Sequence, residues 1–172
     1  MTDLVILVAD KNMQFAMRGA LARPEALGIR AVTHDFRPHP ERDGGARTSG
    51  VDILALERRR VGHALLVFDL EGCGAEQGQS AEDLERLLDV LRWPQAGNVR
   101  TWLQAQGFVF DAHGKPDRPK DVIEALVRFC RLPRSSAQYE KITVRVSLRR
   151  CSDPAFGRLR TALQNWFTTG DR

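Results

Sequence analysis

Two continuous apolar runs of strand length restrict the fold of this chain more than any other feature. Residues 4–9 read LVILVA and residues 64–68 read ALLVF, with no polar residue in either run. A strand with one face in water alternates polar and apolar residues, whereas a continuous apolar run is typical of a strand covered on both faces. The sequence therefore predicts an α/β protein built on a buried parallel sheet.

The segments between these runs complete a βαβ pattern. Residues 13–21 carry apolar side chains at helical spacing, residues 28–34 have the character of a second short strand, and residues 51–60 are helical again. Residues 37–49, with two prolines and two adjacent glycines, are predicted to be a loop. A right-handed βαβ order allows the first and third strands to be neighbours, and we expect the third, most apolar strand at the centre of the sheet.

The rest of the chain has mainly helical patterns. Helices are predicted for residues 80–91, 99–106, 120–129 and 136–146, and for residues 154–167, which Asp153 is expected to cap. A chain of 172 residues can bury a core without disulfides, and its three cysteines are expected to be free thiols. We predict one domain over residues 1–172, with an α/β core in 1–92 and a helical, basic part in 93–172.

Positive charge is concentrated near the C-terminus. Residues 115–160 contain 12 Lys or Arg and 5 Asp or Glu, whereas the whole chain has a formal net charge of only +4. Such a surface attracts DNA, RNA or an acidic protein, although a solvated helix face is the alternative interpretation. No apolar run approaches the roughly 20 residues that span a bilayer. We therefore expect a cytoplasmic protein without membrane contact, and the sequence leaves the oligomeric state open.

Acidic residues follow the first and third predicted strands. Asp10 ends the first run, and Asp69 and Glu71 follow the third in the stretch LLVFDLEGCG. Ligands of open parallel sheets collect beyond the carboxyl ends of the strands, and side chains two residues apart on an extended segment point the same way. Carboxylates suit Mg²⁺ or Mn²⁺, and Gly72 and Gly74 would allow a phosphate close to the backbone. Turn and cap residues are the alternative interpretation.

Several stretches together resemble one protein family. ILVADKNM, HPERDGG, ALLVFDLEGCG, KPDRPK and SLRRCSDPAFGRLRTALQNWF are similar to small Toprim-like proteins encoded in bacterial anti-phage defence loci, some of which also encode ATPases or DNA methyltransferases. The resemblance covers most of the chain. It implies a Toprim-like parallel-sheet core and Mg²⁺-dependent phosphoryl chemistry, with Asp10 in the place of the family's first-strand Glu and Asp69 with Glu71 in the place of its D-x-D pair.

The chain departs from the family pattern in two places. Asp10 is one methylene shorter than the Glu expected there, and an additional strand with further acidic residues is missing after Leu91. The resemblance therefore implies one of two functions. The first is a nuclease that cleaves phosphodiesters in a defence assembly. The second is a non-catalytic subunit that docks on a partner ATPase, a methyltransferase or a nucleic acid, with the partner encoded in the same defence locus.

Other polar residues are candidates for catalysis or phosphate binding. His39 is a candidate general acid or base, and the other candidates are cations: Lys11, Arg42, Lys115, Lys120, Arg149 and Arg150. Lys11 stands at a predicted helix start, where backbone N–H groups also attract anions. For the lysines, solubility or helix initiation is the alternative role. For His39 and Arg42 the alternative is a surface loop whose side chains satisfy one another, and for Arg149 and Arg150 it is a contact surface for an acidic protein.

Overall fold

A three-stranded parallel sheet lies at the centre of the structure, a computed structural model that describes residues 2–57, 59–68, 98–111, 116–151 and 153–170. The strands are β1 (Thr2–Val8), β2 (His34–Pro38) and β3 (Val61–Val67), in the order β2-β1-β3. The α/β class with a parallel sheet is therefore confirmed. Among the described strands the central one is β1, which contradicts the prediction that the third strand is central.

Seven helices are described around and beyond this sheet. They are α1 (Lys11–Leu21), α2 (Pro24–Leu27), α3 (Arg42–Glu57), α4 (Val99–Ala105), α5 (Pro119–Phe129), α6 (Ser136–Arg145) and α7 (Pro154–Trp166). The predicted helical character of the C-terminal part is confirmed. The predicted helix at residues 80–91 lies outside the described residues. None of the helices in the described ranges is long and apolar enough to cross a membrane.

Both faces of β1 are covered, as its unbroken apolar run predicts. Residues 4–8 are each at most 1% exposed. Leu4, Ile6 and Val8 belong to one core cluster, which α1 and α7 complete. Val5 and Leu7 face the other way and pack against α3. The alternation of side chains along a strand thus divides the apolar run between two helical layers.

The C-terminal helix α7 returns to the sheet. Leu163 and Phe167 at its end are each 1% exposed and belong to the same core cluster as β1. Trp166 stacks on His63 of β3, with ring centroids 4.9 Å apart. Asp153 caps the helix by accepting a hydrogen bond from the Phe156 N–H at 2.9 Å, as predicted. Helices α4, α5 and α6 share a second core cluster.

Residues 37–49 are mostly helical, so their prediction as a loop was wrong. Helix α3 begins at Arg42 and runs through the glycine pair. The physical reason lies at Gly45, where a Cβ atom would collide with the ring of His39. This glycine makes room for a buried side chain and does not form a turn.

The second strand was also predicted too early, at residues 28–34. Gly28 instead ends α2 in the left-handed region, with φ of 74°. Asp3 then holds the connection to β2, because its carboxylate accepts hydrogen bonds from the Arg30 guanidinium at 2.7 Å and the Thr33 N–H at 2.9 Å. Pairing with β1 therefore begins at His34, opposite Leu4.

Helices α1 and α6 lie parallel and in close contact. Asn12 near the start of α1 accepts a hydrogen bond from Ser136 at the start of α6, at 2.8 Å. At the other end, Arg23 donates to the carbonyl groups of Thr143 and Val146. Between them, a Cβ atom on Gly19 would lie 2.8 Å from the Glu140 carbonyl oxygen. The close approach of the two helices therefore depends on a glycine at this position.

Gly19→Ala is expected to destabilise the fold. The added methyl group meets backbone that cannot rotate away, and such overpacking costs about 1–3 kcal/mol. This cost equals or exceeds the roughly 1 kcal/mol that alanine gains over glycine in a helix. The matched control is Gly157→Ala on α7, where nothing lies within 4 Å of the added atom. We expect this control to raise the free energy of unfolding in urea. Equal effects of the two substitutions would contradict the α1–α6 contact.

Asp3→Asn is expected to lower the melting temperature at pH 7. The hydrogen bonds from Arg30 and Thr33 hold the pKa of Asp3 well below its usual range. The stability that this carboxylate contributes is therefore present above the unfolded-state pKa of about 3.9 and is lost as the pH falls through the lower folded-state pKa. Thermal unfolding from pH 7 to pH 2.5 should show the difference between variant and wild type shrinking below about pH 4. A difference that stays constant over this range would contradict the assignment.

Candidate functional site

The three strands end at the same level, so their carboxyl ends form one edge of the sheet. Val8 pairs with Pro38 on one side and with Val67 on the other. The ladder continues one step further on each side, because His39 N–H donates to Val8 O at 2.8 Å and Ala9 N–H donates to Val67 O at 3.1 Å. The expectation that the first and third strands are neighbours is confirmed.

Asp10 follows the central strand and caps helix α1. It is half-buried, and its Oδ1 accepts a hydrogen bond from the Met13 N–H at 2.8 Å. Asp69 and Glu71 lie outside the described residues. Among the described ranges, no three His, Cys, Asp or Glu side chains lie together as a group that could hold a metal ion. The described part of the edge therefore contributes one candidate carboxylate.

His39 is buried, and both of its ring nitrogens are engaged. It is 5% exposed. Its Nδ1 accepts from the Glu41 N–H at 3.1 Å, which assigns the proton to Nε2, 3.1 Å from Ser49 Oγ. Ser49 in turn donates to Gly45 O. This chain of hydrogen bonds joins the end of β2 to the first turns of α3, so the ring has a structural task at this edge.

The candidate cations are spread over different elements. Lys11 begins α1, Lys120 lies in the first turn of α5, and Lys115 lies outside the described residues. Arg42 starts α3 with φ of 54°. Arg149 donates to Glu25 O at 3.1 Å, and Arg150 donates to Ser147 Oγ at 3.3 Å. The two arginines thus make hydrogen bonds within the chain.

A cavity that the sequence did not reveal opens beside the start of α1. It has a volume of about 320 Å³, and its polar lining residues are Asn12, Glu124, Arg134, Ser135, Ser136, Gln138 and Tyr139. The parallel packing of α1 and α6 brings the first turns of both helices to this cavity. Ser136 and its hydrogen-bond partner Asn12 are 124 residues apart in the sequence, so no local pattern predicts this contact.

The first turn of α6 has the sequence of a capping box whose bonds are not formed. In that motif a Ser at the N-cap and a Gln three residues later satisfy each other's backbone N–H groups. Here the Ser135 side chain makes no capping bond. Gln138 is 5% exposed, and its side-chain amide has no hydrogen-bond partner among the described residues. An unpartnered buried amide costs about 1–3 kcal/mol, so this helix start is unsatisfied.

Charges of both signs surround the cavity. Arg134 and Glu124 form an ion pair at 2.7 Å, with the arginine side chain 76% exposed. Burial raises the pKa of the Tyr139 phenol, and the negative charges of Glu124 and Asp10 raise it further, while Arg134 acts in the opposite direction. Tyr139 therefore remains a neutral hydrogen-bond donor at physiological pH. The negative charge of Asp10 therefore acts on Tyr139, which lines the cavity.

Titration of Tyr139 tests this arrangement directly, because it is the only tyrosine in the chain. Ultraviolet absorbance should show ionisation above the ordinary value of about 10. Glu124→Gln and Asp10→Asn should each lower the pKa, since each removes a negative charge that disfavours the phenolate. Asp121→Asn, on the same helix as Glu124, is the matched control. An identical pKa in all four proteins would show that these groups are not neighbours.

Comparison of the chain with protein-family models, with curated proteins and with solved structures gave no match.

Proposed function

We propose that this chain is a Toprim-like, divalent-cation-dependent enzyme that cleaves nucleic-acid phosphodiesters in a bacterial anti-phage defence system. The observation that carries the proposal is the parallel pairing of β1 with β3, whose last described pair is Val8 with Val67. Asp10 and Asp69 each stand two residues beyond that pair in sequence. The Toprim pattern requires carboxylates after two neighbouring strands, and this chain has them.

The donor chemistry suits Mg²⁺ or Mn²⁺. The proposed ligands are carboxylates, the groups that hard cations prefer. Asp10 uses one oxygen for the cap of α1, which fixes the side chain and leaves its other oxygen for an ion. Asp69 and Glu71 are the other proposed ligands. A bound ion would polarise the phosphate and stabilise the charge that develops during cleavage.

The remaining polar groups at this edge have distinct roles in the proposal. The N-terminus of α1 points its partial positive charge toward the strand edge, and Lys11 adds a full charge at the same turn. Both attract a phosphate. His39 is not assigned the proton transfer, because its two ring nitrogens are already bonded to Glu41 and Ser49. The proposed nucleophile is a water molecule.

The test is cleavage of single- and double-stranded DNA and RNA with Mg²⁺ or Mn²⁺. The double variant Asp69→Asn with Glu71→Gln should lose at least about 100-fold of the cleavage rate, as expected when charge stabilisation at a reaction centre is removed. Asp52→Asn, an exposed carboxylate on α3, should cleave like wild type. Undiminished cleavage by the double variant would refute the assignment.

The competing hypothesis is a non-catalytic subunit that docks on an ATPase, a methyltransferase or nucleic acid through the basic C-terminal part. Two of the arginines that would form such a surface bind backbone carbonyl groups of the same chain: Arg149 contacts Glu25 O and Arg160 contacts Leu148 O and Arg149 O. These two arginines therefore also have a role inside the fold. Absence of cleavage of every nucleic acid by the wild-type protein would favour docking.

A further inference from the structure

The cavity between the first turns of α1 and α6 has the features of a ligand site. Its volume of about 320 Å³ is that of a small-molecule pocket. Gln138 is one of the residues that line it, is 5% exposed, and has no hydrogen-bond partner for its side-chain amide among the described residues. Buried polar groups in native proteins are nearly always hydrogen-bonded, so an unpartnered amide in the wall of a cavity is a candidate contact for a ligand or an ordered water.

The amide also restricts the chemistry of that ligand. Gln138 offers a donor and an acceptor side by side, and a bare anion could satisfy only the donor. The edge of a nucleobase satisfies both, and a side-chain amide binds such an edge in a bidentate manner. Ile123, Val127 and the Tyr139 ring provide apolar wall for a flat ring. These groups favour a nucleobase over an inorganic ion.

A second group of donors lies at the start of α6. Helix α6 has 10 residues, and its N-cap residue Ser135 makes no capping bond in the part of the chain that the structure describes. The Gln138 N–H donates to Ser135 O at 3.1 Å. The N–H groups of Ser136 and Ala137, together with the Arg134 guanidinium, suit a phosphate. Glu124, paired with Arg134, adds an acceptor for a sugar hydroxyl.

We propose that this cavity binds a nucleoside monophosphate unit, with Gln138 contacting the base and Arg134 with the N-terminus of α6 contacting the phosphate. The same chemistry is offered by a free nucleotide and by an unstacked nucleotide of a single strand. The site uses neither Asp69 nor Glu71, so it does not depend on the proposed cleavage.

Calorimetric titration of the full chain in EDTA tests this proposal without any metal-dependent reaction. The probes are the four nucleoside monophosphates, adenosine, inorganic phosphate and a single-stranded oligonucleotide. We expect saturable binding of at least one monophosphate, at least tenfold tighter than inorganic phosphate. Tighter binding of the oligonucleotide would identify a single strand as the source, and tighter binding of the monophosphate would identify a free nucleotide. Absence of saturable binding, or equal binding of inorganic phosphate, would overturn the proposal.

Two variants separate the base contact from the phosphate contact. Gln138→Leu should weaken binding at least tenfold while the melting temperature without ligand stays the same or rises, because the substitution removes an unsatisfied buried amide. Gln104→Leu, at an exposed position of α4, is the matched control and should bind like wild type. Arg134→Gln, on the surface, should weaken binding of the monophosphate at least tenfold and leave adenosine binding unchanged. Wild-type affinity in both Gln138→Leu and Arg134→Gln would overturn the proposal.

Discussion

Burial of β1 on both faces is the constraint on which the rest of the structure depends. A strand whose residues 4–8 are almost fully removed from water needs a helical layer on each side, and an open sheet with both faces covered is typically parallel. Parallel pairing in level register then brings the carboxyl ends of all three strands to one edge. The polar edge thus lies beside Asp10 because the apolar residues 4–8, which come just before it, pack on both faces of the sheet.

The second constraint is the contact between α1 and α6. Because the two helices run parallel, the start of α6 lies beside the start of α1 and hence near the same edge of the sheet. The bonds from Arg23 to the last turn of α6 hold the other end. Gly19 lets the backbones approach between these two points. One glycine and two polar contacts therefore position the cavity that an α/β core alone would not create.

Much of the core could be predicted from the sequence, because local patterns determine it. The apolar runs predicted β1 and β3, and helical spacing with a capping aspartate predicted α7 almost to the residue. The prediction of a loop at residues 37–49 was wrong because the need for glycine at position 45 arises from contact with the ring of His39. The prediction of the central strand was wrong because the order of strands in a sheet depends on contacts between layers and not on which run is most apolar.

The cavity could not be predicted, since its walls combine Asn12 with residues between Ile123 and Tyr139, which are far from it in sequence. The sequence of α6 even suggests a closed capping box, which the structure leaves open. Asp69 and Glu71 lie outside the described residues, so the metal site stays a prediction.

Asp10 connects the two candidate sites physically. Its carboxylate stands at the strand edge, caps α1, and contributes to the raised pKa of Tyr139 in the cavity. A cation held at Asp10 would offset that negative charge and so make a phosphate in the neighbouring cavity less costly to bring close. Each site would then favour occupation of the other through charge alone, without movement of the backbone.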